Sequence, residues 1–187
     1  MTDTLILIDI QVGFDSPVWG KRNNMNAETN AARLLNHWRA QGWPVIHVCH
    51  SSETPGSPLA PDQPGHAFKP EVTPLPGETI IEKSVNSAFI GTDLLDRLQK
   101  NGAQKLVICG LTTPHCVSTT SRMAANYGFE VVLVEDACAA FSSNADMSWK
   151  PGATPLDPQL VHDSAVAHLH GEFVTAWQTV SFLERVS

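Results

Sequence analysis

Positive charge is scarce in this chain: 12 lysines and arginines stand against 19 acidic residues among 187, a formal net charge of −7. That deficit argues against a nucleic acid or an anionic membrane as partner, since both want a basic face. Long apolar runs are missing too, and none approaches the length of a membrane span. The opening residues, MTDTLILIDI, have no basic start and no cleavage site, so they do not read as an export signal. Cysteine is sparse. Cys49, Cys109, Cys116 and Cys138 form no CxxC pair, and they read as reduced thiols of a cytoplasmic protein. No internal repeat or low-complexity segment is visible. The simplest organisation is one domain over 1–187, long enough for a core without staples.

What is present is an alternation of short apolar runs with amphipathic ones. Strands are expected at 5–8, 44–48, 79–82, 105–109 and 130–134, with a short sixth at 173–174. Helices are expected at 26–41, 93–101, 116–127, 158–170 and 175–186. In the first of them Ala27, Ala31, Leu34, Leu35 and Trp38 recur at helical spacing, and Gly42 marks the stop. Strands apolar on both faces, alternating with helices, indicate an α/β fold. Its expected form is three-layered and doubly wound, with a central, mostly parallel six-stranded sheet and helices on both faces. Ligands of such sheets bind beyond the carboxyl ends of the strands, where the strand order reverses. Asp9, Lys83 and Cys116 each follow an expected strand, so this fold should carry them to one edge. Two stretches, 51–76 and 141–158, are long for a compact domain, and loops of that length tend to be functional. The prolines of 51–76 suggest a fixed wall rather than a mobile lid.

The densest chemistry lies in LVICGLTTPHCVSTT, residues 106–120. An apolar strand run ends at Gly110, and a tight polar turn delivers Cys116 to an expected first helical turn. A cysteine there meets unpaired backbone N–H groups and the positive end of the helix dipole. Both favour the thiolate, which is the nucleophilic form. The same N–H groups can hold a developing oxyanion.

Three segments together resemble the isochorismatase-like cysteine hydrolase superfamily, which includes nicotinamidases and carbamoylsarcosine amidohydrolases. They are Leu7-Ile8-Asp9-Ile10-Gln11, Glu82-Lys83 with Ser87-Ala88-Phe89, and Gly110-Leu111-Thr112-Thr113-x-x-Cys116-Val117 running into Thr120-x-x-Met123-Ala124. The resemblance implies a triad of Asp9, Lys83 and Cys116. It also implies a cis peptide between Leu111 and Thr112, and an oxyanion hole from the Thr112 and Cys116 N–H groups. Assembly as a homodimer or homotetramer is a further expectation from the family. The Asp-x-His motif that the metal-binding nicotinamidases carry after the second strand is absent, because that region reads His47-Val48-Cys49-His50. No metal and no cofactor is therefore expected. Members that cleave the vinyl ether of isochorismate need no cysteine. Keeping Cys116 points instead to a small-molecule substrate with an amide, ureido or carbamoyl C–N bond.

Each residue has a blander reading beside the functional one. Gln11 can brace Asp9 or sit in solvent. Phe14, Trp19 and Phe89 can shape a pocket or be plain core. His115 precedes Cys116, but helix neighbours point about 100° apart, so it lines the mouth at most. His47 and His50 fall on opposite faces of a strand, and His162, His168 and His170 keep helical spacing only in part; none is assigned to a metal. A redox-sensing role for Cys116 is the alternative function, with Cys109 as nearest resolving thiol.

Overall fold

The computed structural model describes residues 3–186. Six strands form one sheet: β1 (Thr4–Ile8), β2 (Val45–His50), β3 (Thr79–Lys83), β4 (Lys105–Leu111), β5 (Glu130–Ala139) and β6 (Thr175–Trp177). Their order is β3-β2-β1-β4-β5-β6, and every pairing is parallel rather than mostly so. The helices are α1 (Ala27–Gln41), α2 (Leu94–Lys100), α3 (Ser118–Asn126), α4 (Pro158–Ala167) and α5 (Thr179–Val186). The chain winds outward from β1 to β3, then returns to β4 and winds the other way. Right-handed crossovers then place helices on both faces, giving a three-layer α/β fold. The turning point lies between β1 and β4.

The core follows the apolar periods. β1 is buried along its whole length, as a central parallel strand between two covered faces must be. In α1 the buried stripe is Ala27, Ala31, Leu34, Leu35 and Trp38, and Gly42 closes the helix in a left-handed conformation. Trp38 stacks on Phe182 of α5, so these two helices share one face.

Several boundaries differ from expectation: β2 and β4 run two residues further, and α4 stops three residues earlier. β5 continues through Ala139 after a register shift against β4 between Ile108 and Gly110. The sixth strand is Thr175–Trp177, not 173–174, because Phe173 and Val174 N–H groups bond back to Leu169 O and close a turn. The last helix therefore starts at Thr179. Residues 51–76 contain only two 3-10 turns, Pro64–His66 and Pro70–Val72. They are pinned from within. Buried Lys69 bonds Asp15 and Glu28 through its ammonium, and its N–H donates to Ile10 O. Among the described residues no helix is long and apolar enough to cross a membrane.

Candidate active site

The reversal of strand order puts the ends of β1 and β4 side by side, with Ile8 opposite Gly110. Gly110 has φ 130°, and a Cβ there would collide with the Ile8 carbonyl, so only glycine lets the two backbones meet this closely. Beyond β1 the chain turns sharply at Asp9, a non-glycine residue at φ 51°. Its N–H donates to Val48 O of β2 at 2.9 Å. Left-handed non-glycine residues are uncommon and gather at functional sites. Lys83 closes β3 and lies opposite His50 of β2. β3 is two strands from β1, roughly 10 Å away. A lysine stem spans that gap, and the Lys83 ammonium crosses over the end of β2.

There it makes three contacts. Nζ lies 2.6 Å from Asp9 Oδ2, 3.1 Å from His50 Nδ1 and 3.4 Å from Cys116 Sγ. An ammonium has three hydrogens, so all its donor capacity is used. The contact with Nδ1 requires that nitrogen to be unprotonated, and burial together with the Lys83 charge lowers the His50 pKa accordingly. Asp9 and Lys83 are buried, whereas Cys116 keeps 8% of its surface open. The other carboxylate oxygen, Asp9 Oδ1, is buried and has no hydrogen-bond partner among the described residues. Cys116 Sγ also approaches Asn86 Oδ1, at 3.7 Å.

The donor atoms of Asp9, His50 and Cys116 lie within 4.8 Å of one another, close enough to consider a metal ion. The Lys83 ammonium, however, already touches all three. A metal among them would have to displace it.

Burial also reverses one expectation. The start of a helix favours a thiolate, yet burial pushes the Cys116 thiol pKa well up. The Asp9 charge adds to this, and Lys83 opposes it. Desolvation of a buried ion outweighs the dipole here. Burial thus favours the thiol form of Cys116, with the Asp9 carboxyl group and the Lys83 ammonium beside it.

The Leu111–Thr112 peptide is cis. After it, Thr113–Val117 forms a π-helical turn that leads into α3, and Cys116 sits inside this turn rather than at the first residue of a regular helix. Thr112 O accepts from His115 N–H and Val117 N–H at 3.1 and 3.3 Å. The first N–H groups of a helical segment have no partner within it. The N–H groups on either side of Cys116, however, are both spent on Thr112 O.

The Isochorismatase domain family matches residues 3–153 of the chain. The chain belongs to the isochorismatase family. It is 45% identical over 175 residues to YrdC, an isochorismatase family protein of Bacillus subtilis (strain 168), covering 94% of this chain and 91% of YrdC. An isochorismatase-family crystal structure from Chromobacterium violaceum ATCC 12472 matches with a TM-score of 0.91 and 45% identity, covering 98% of this chain and 92% of that one. Streptothricin hydrolase of Streptomyces noursei is 32% identical over 171 residues, 91% of this chain and 66% of that protein. Membership makes the chain an isochorismatase-family hydrolase.

Around this isochorismatase-family site, the other residues singled out in the sequence divide clearly. Gln11 does not brace Asp9 through its side chain. Its amide accepts from His50 N–H and donates to His50 O and His66 O, tying the end of β2 to the 51–76 wall. Phe14 and Trp19 pack with Phe141, Leu59 and Leu111 in a small second core behind the turn. Phe89 is buried against Tyr127 and Phe129. These three rings support walls rather than present a surface. His115 is exposed. Cys109 is fully buried and burial pushes its thiol up to about 12, which suits it poorly as a resolving partner. Two residues at the site went unrecognised in the sequence, His50 and Asn86. The signal for His50 is its position at the end of the strand lying between those of Asp9 and Lys83. Asn86 carries none.

Proposed function

We propose that this hydrolase cleaves the C–N bond of a small amide, ureido or carbamoyl compound through a thioester on Cys116. Asp9 takes the thiol proton as sulfur attacks the carbonyl carbon. One neutral thiol and one carboxylate become a thiolate and a carboxylic acid, so the buried site gains no net charge. The Thr112 and Cys116 N–H groups hold the oxyanion. As the tetrahedral species collapses the C–N bond breaks, and Asp9 returns its proton to the departing amine. Water then gives a proton to Asp9 and attacks the thioester, releasing the acid and the free thiol. Covalent catalysis divides one difficult step into two easier ones.

One observation carries this reading: a single buried ammonium touches both the carboxylate and the sulfur. It holds Asp9 as the base and stabilises negative charge wherever the proton goes. The unpartnered Asp9 Oδ1 is the free lone pair the proton transfer needs. Retention of a cysteine supports C–N cleavage over vinyl ether hydrolysis. Four unpaired thiols suit a reducing, cytoplasmic setting.

Ammonia release from a panel of primary amides, ureido acids and carbamoyl compounds tests the proposal. Turnover should survive extensive chelation, and quenched reactions should show an acyl adduct on Cys116 by mass spectrometry. Turnover that needs added zinc, or that persists in Cys116→Ala, would sink it.

A further inference from the structure

A second buried array reaches the same turn from behind. Thr113 Oγ1 lies 2.8 Å from His162 Nδ1, with both side chains shut off from solvent. The other ring nitrogen, Nε2, lies 3.1 Å from Glu135 Oε2 of β5. Asn24 Nδ2 stands 3.5 Å from Nε2 while it donates to the Cys138 and Glu135 carbonyls. Glu135 is partly exposed and lines a cleft of about 590 Å³ with Asp136, Gln159 and Asp163. The array therefore runs from solvent through α4 to the residue after Thr112.

The direction of its hydrogen bonds follows from chemistry. An ionised carboxylate only accepts, so Nε2 carries the hydrogen. With the ring neutral, Nδ1 accepts from the Thr113 hydroxyl; with the ring protonated, Nδ1–H donates to the Thr113 oxygen, and either bond holds the same side chain. That fixes the Thr113 rotamer. Thr113 follows the peptide whose N–H serves the oxyanion hole and precedes Pro114, which has no N–H to anchor the turn itself. In hydrolysis through an oxyanion, a donor displaced by about 1 Å costs on the order of 10²-fold.

We propose that Thr113, His162 and Glu135 form a positioning relay that holds the Thr112–Cys116 turn in its oxyanion-binding geometry. The inference rests on the hydrolase mechanism above. It makes His162 a positioning residue, distant from the reacting atoms and acting through Thr113.

Thr113→Val keeps the shape and removes the hydroxyl. It should lower kcat about 10²-fold with KM little changed, the loss expected when an oxyanion donor is misplaced. Thr113→Ser should recover most of the rate. Two further variants divide the relay. His162→Asn sets an amide near the Nδ1 position and should keep the Thr113 bond and most of kcat. His162→Gln sets it near Nε2, keeps the Glu135 contact and should fall with Thr113→Val. Alkylation of Cys116 by iodoacetamide involves no oxyanion and should proceed at the wild-type rate in every folded variant.

Several results overturn the relay. One is normal kcat in Thr113→Val. Another is equal loss in His162→Asn and His162→Gln. A third is loss of alkylation or of Tm in parallel with kcat, which makes the contact merely structural. Cys116→Ala serves as the control for the mechanism itself. If it still hydrolyses the substrate, the thioester reading fails; if it is inactive while Thr113→Val is normal, only the relay fails.

Discussion

Two charge clusters, one half-buried and one fully buried, sit at opposite ends of the strands and use similar parts. At the amino ends of the strands, Arg39 grips Glu78 with two bonds of 2.7 and 2.8 Å, and His47 Nε2 joins at 2.8 Å. Leu75 N–H adds another bond to the same carboxylate. At the carboxyl ends, Lys83 holds Asp9 and meets His50. The difference lies in what is left over. Both Glu78 oxygens are bonded, and Arg39 drives its pKa down to about 2. Asp9 keeps one buried oxygen without a partner, and a sulfur stands beside it. A carboxylate with both oxygens bonded holds structure together, whereas one with an idle oxygen next to a nucleophile can move a proton; the atom left over at the amino-end cluster is a ring nitrogen, His47 Nδ1, with no nucleophile in the cluster. Cavity size misleads on this point. A cleft of about 890 Å³ adjoins Arg39 and Glu78, whose carboxylate oxygens are both already bonded.

The largest effect that separates the clusters is catalytic. Asp9→Asn keeps the shape but removes the base, and turnover should fall about 10²–10⁴-fold. It also strands the Lys83 charge in a buried site, so Tm should drop. Asp9→Asn with Lys83→Met removes both charges. Replacing a buried pair by neutral groups is often neutral or stabilising by about 1–4 kcal/mol. Thermal melts of the double variant should therefore match or exceed wild type while activity stays lost. A melt below that of Asp9→Asn alone would mean that the pair stabilises the fold, which would erase the contrast between the clusters.

A smaller effect is expected at the other end. Glu78→Gln leaves Arg39 and His47 short of acceptors and should cost roughly 1–3 kcal/mol of stability. kcat should be unchanged. Because the Glu78 pKa is depressed, its contribution is present above the ordinary carboxylate range and is lost as pH falls towards 2. Denaturant midpoints at pH 7 and pH 3 should show the variant deficit shrinking in acid. A loss of kcat without a loss of stability would make the amino-end cluster part of the reaction.

How much of this could be read in the residues depends on which forces act locally. β1, β2 and β4 are clear because central parallel strands must be apolar on both faces. β6 is displaced because it lies at the sheet edge, where half-exposed Ala176 and Trp177 suffice and no apolar run is required. Asp9, Lys83 and Cys116 are marked by their places after strands, and the fold does bring them into contact. Which strands are neighbours cannot be read along the chain, so His50 was judged by its spacing from His47. Its place between β1 and β3 was the informative fact. The environment of Cys116 is hidden for a similar reason. A helix start is visible in sequence, but the depth of burial that outweighs it is a property of the packed site.

The finest test compares His47 with His50, which burial treats alike. Both pKa values are lowered, chiefly by desolvation. Each histidine thus binds a proton less readily in the folded chain than in the unfolded one. Below the ordinary value of about 6.5 the unfolded state holds more protons, so stability is complete at neutral pH and declines as pH falls through that window. The consequences for activity should differ. Protonating His50 removes an acceptor from Lys83 and sets a second positive charge against it. Protonating His47 places a positive charge beside Glu78, far from the sulfur. His50→Gln should lower kcat roughly tenfold, about the worth of one hydrogen bond to a charged group, and should flatten the acid limb of the rate profile. His47→Gln should change the pH dependence of the denaturant midpoint and leave that limb intact. If both variants shift the rate profile equally, acid acts through global unfolding, and His50 has no role at Lys83 that His47 lacks.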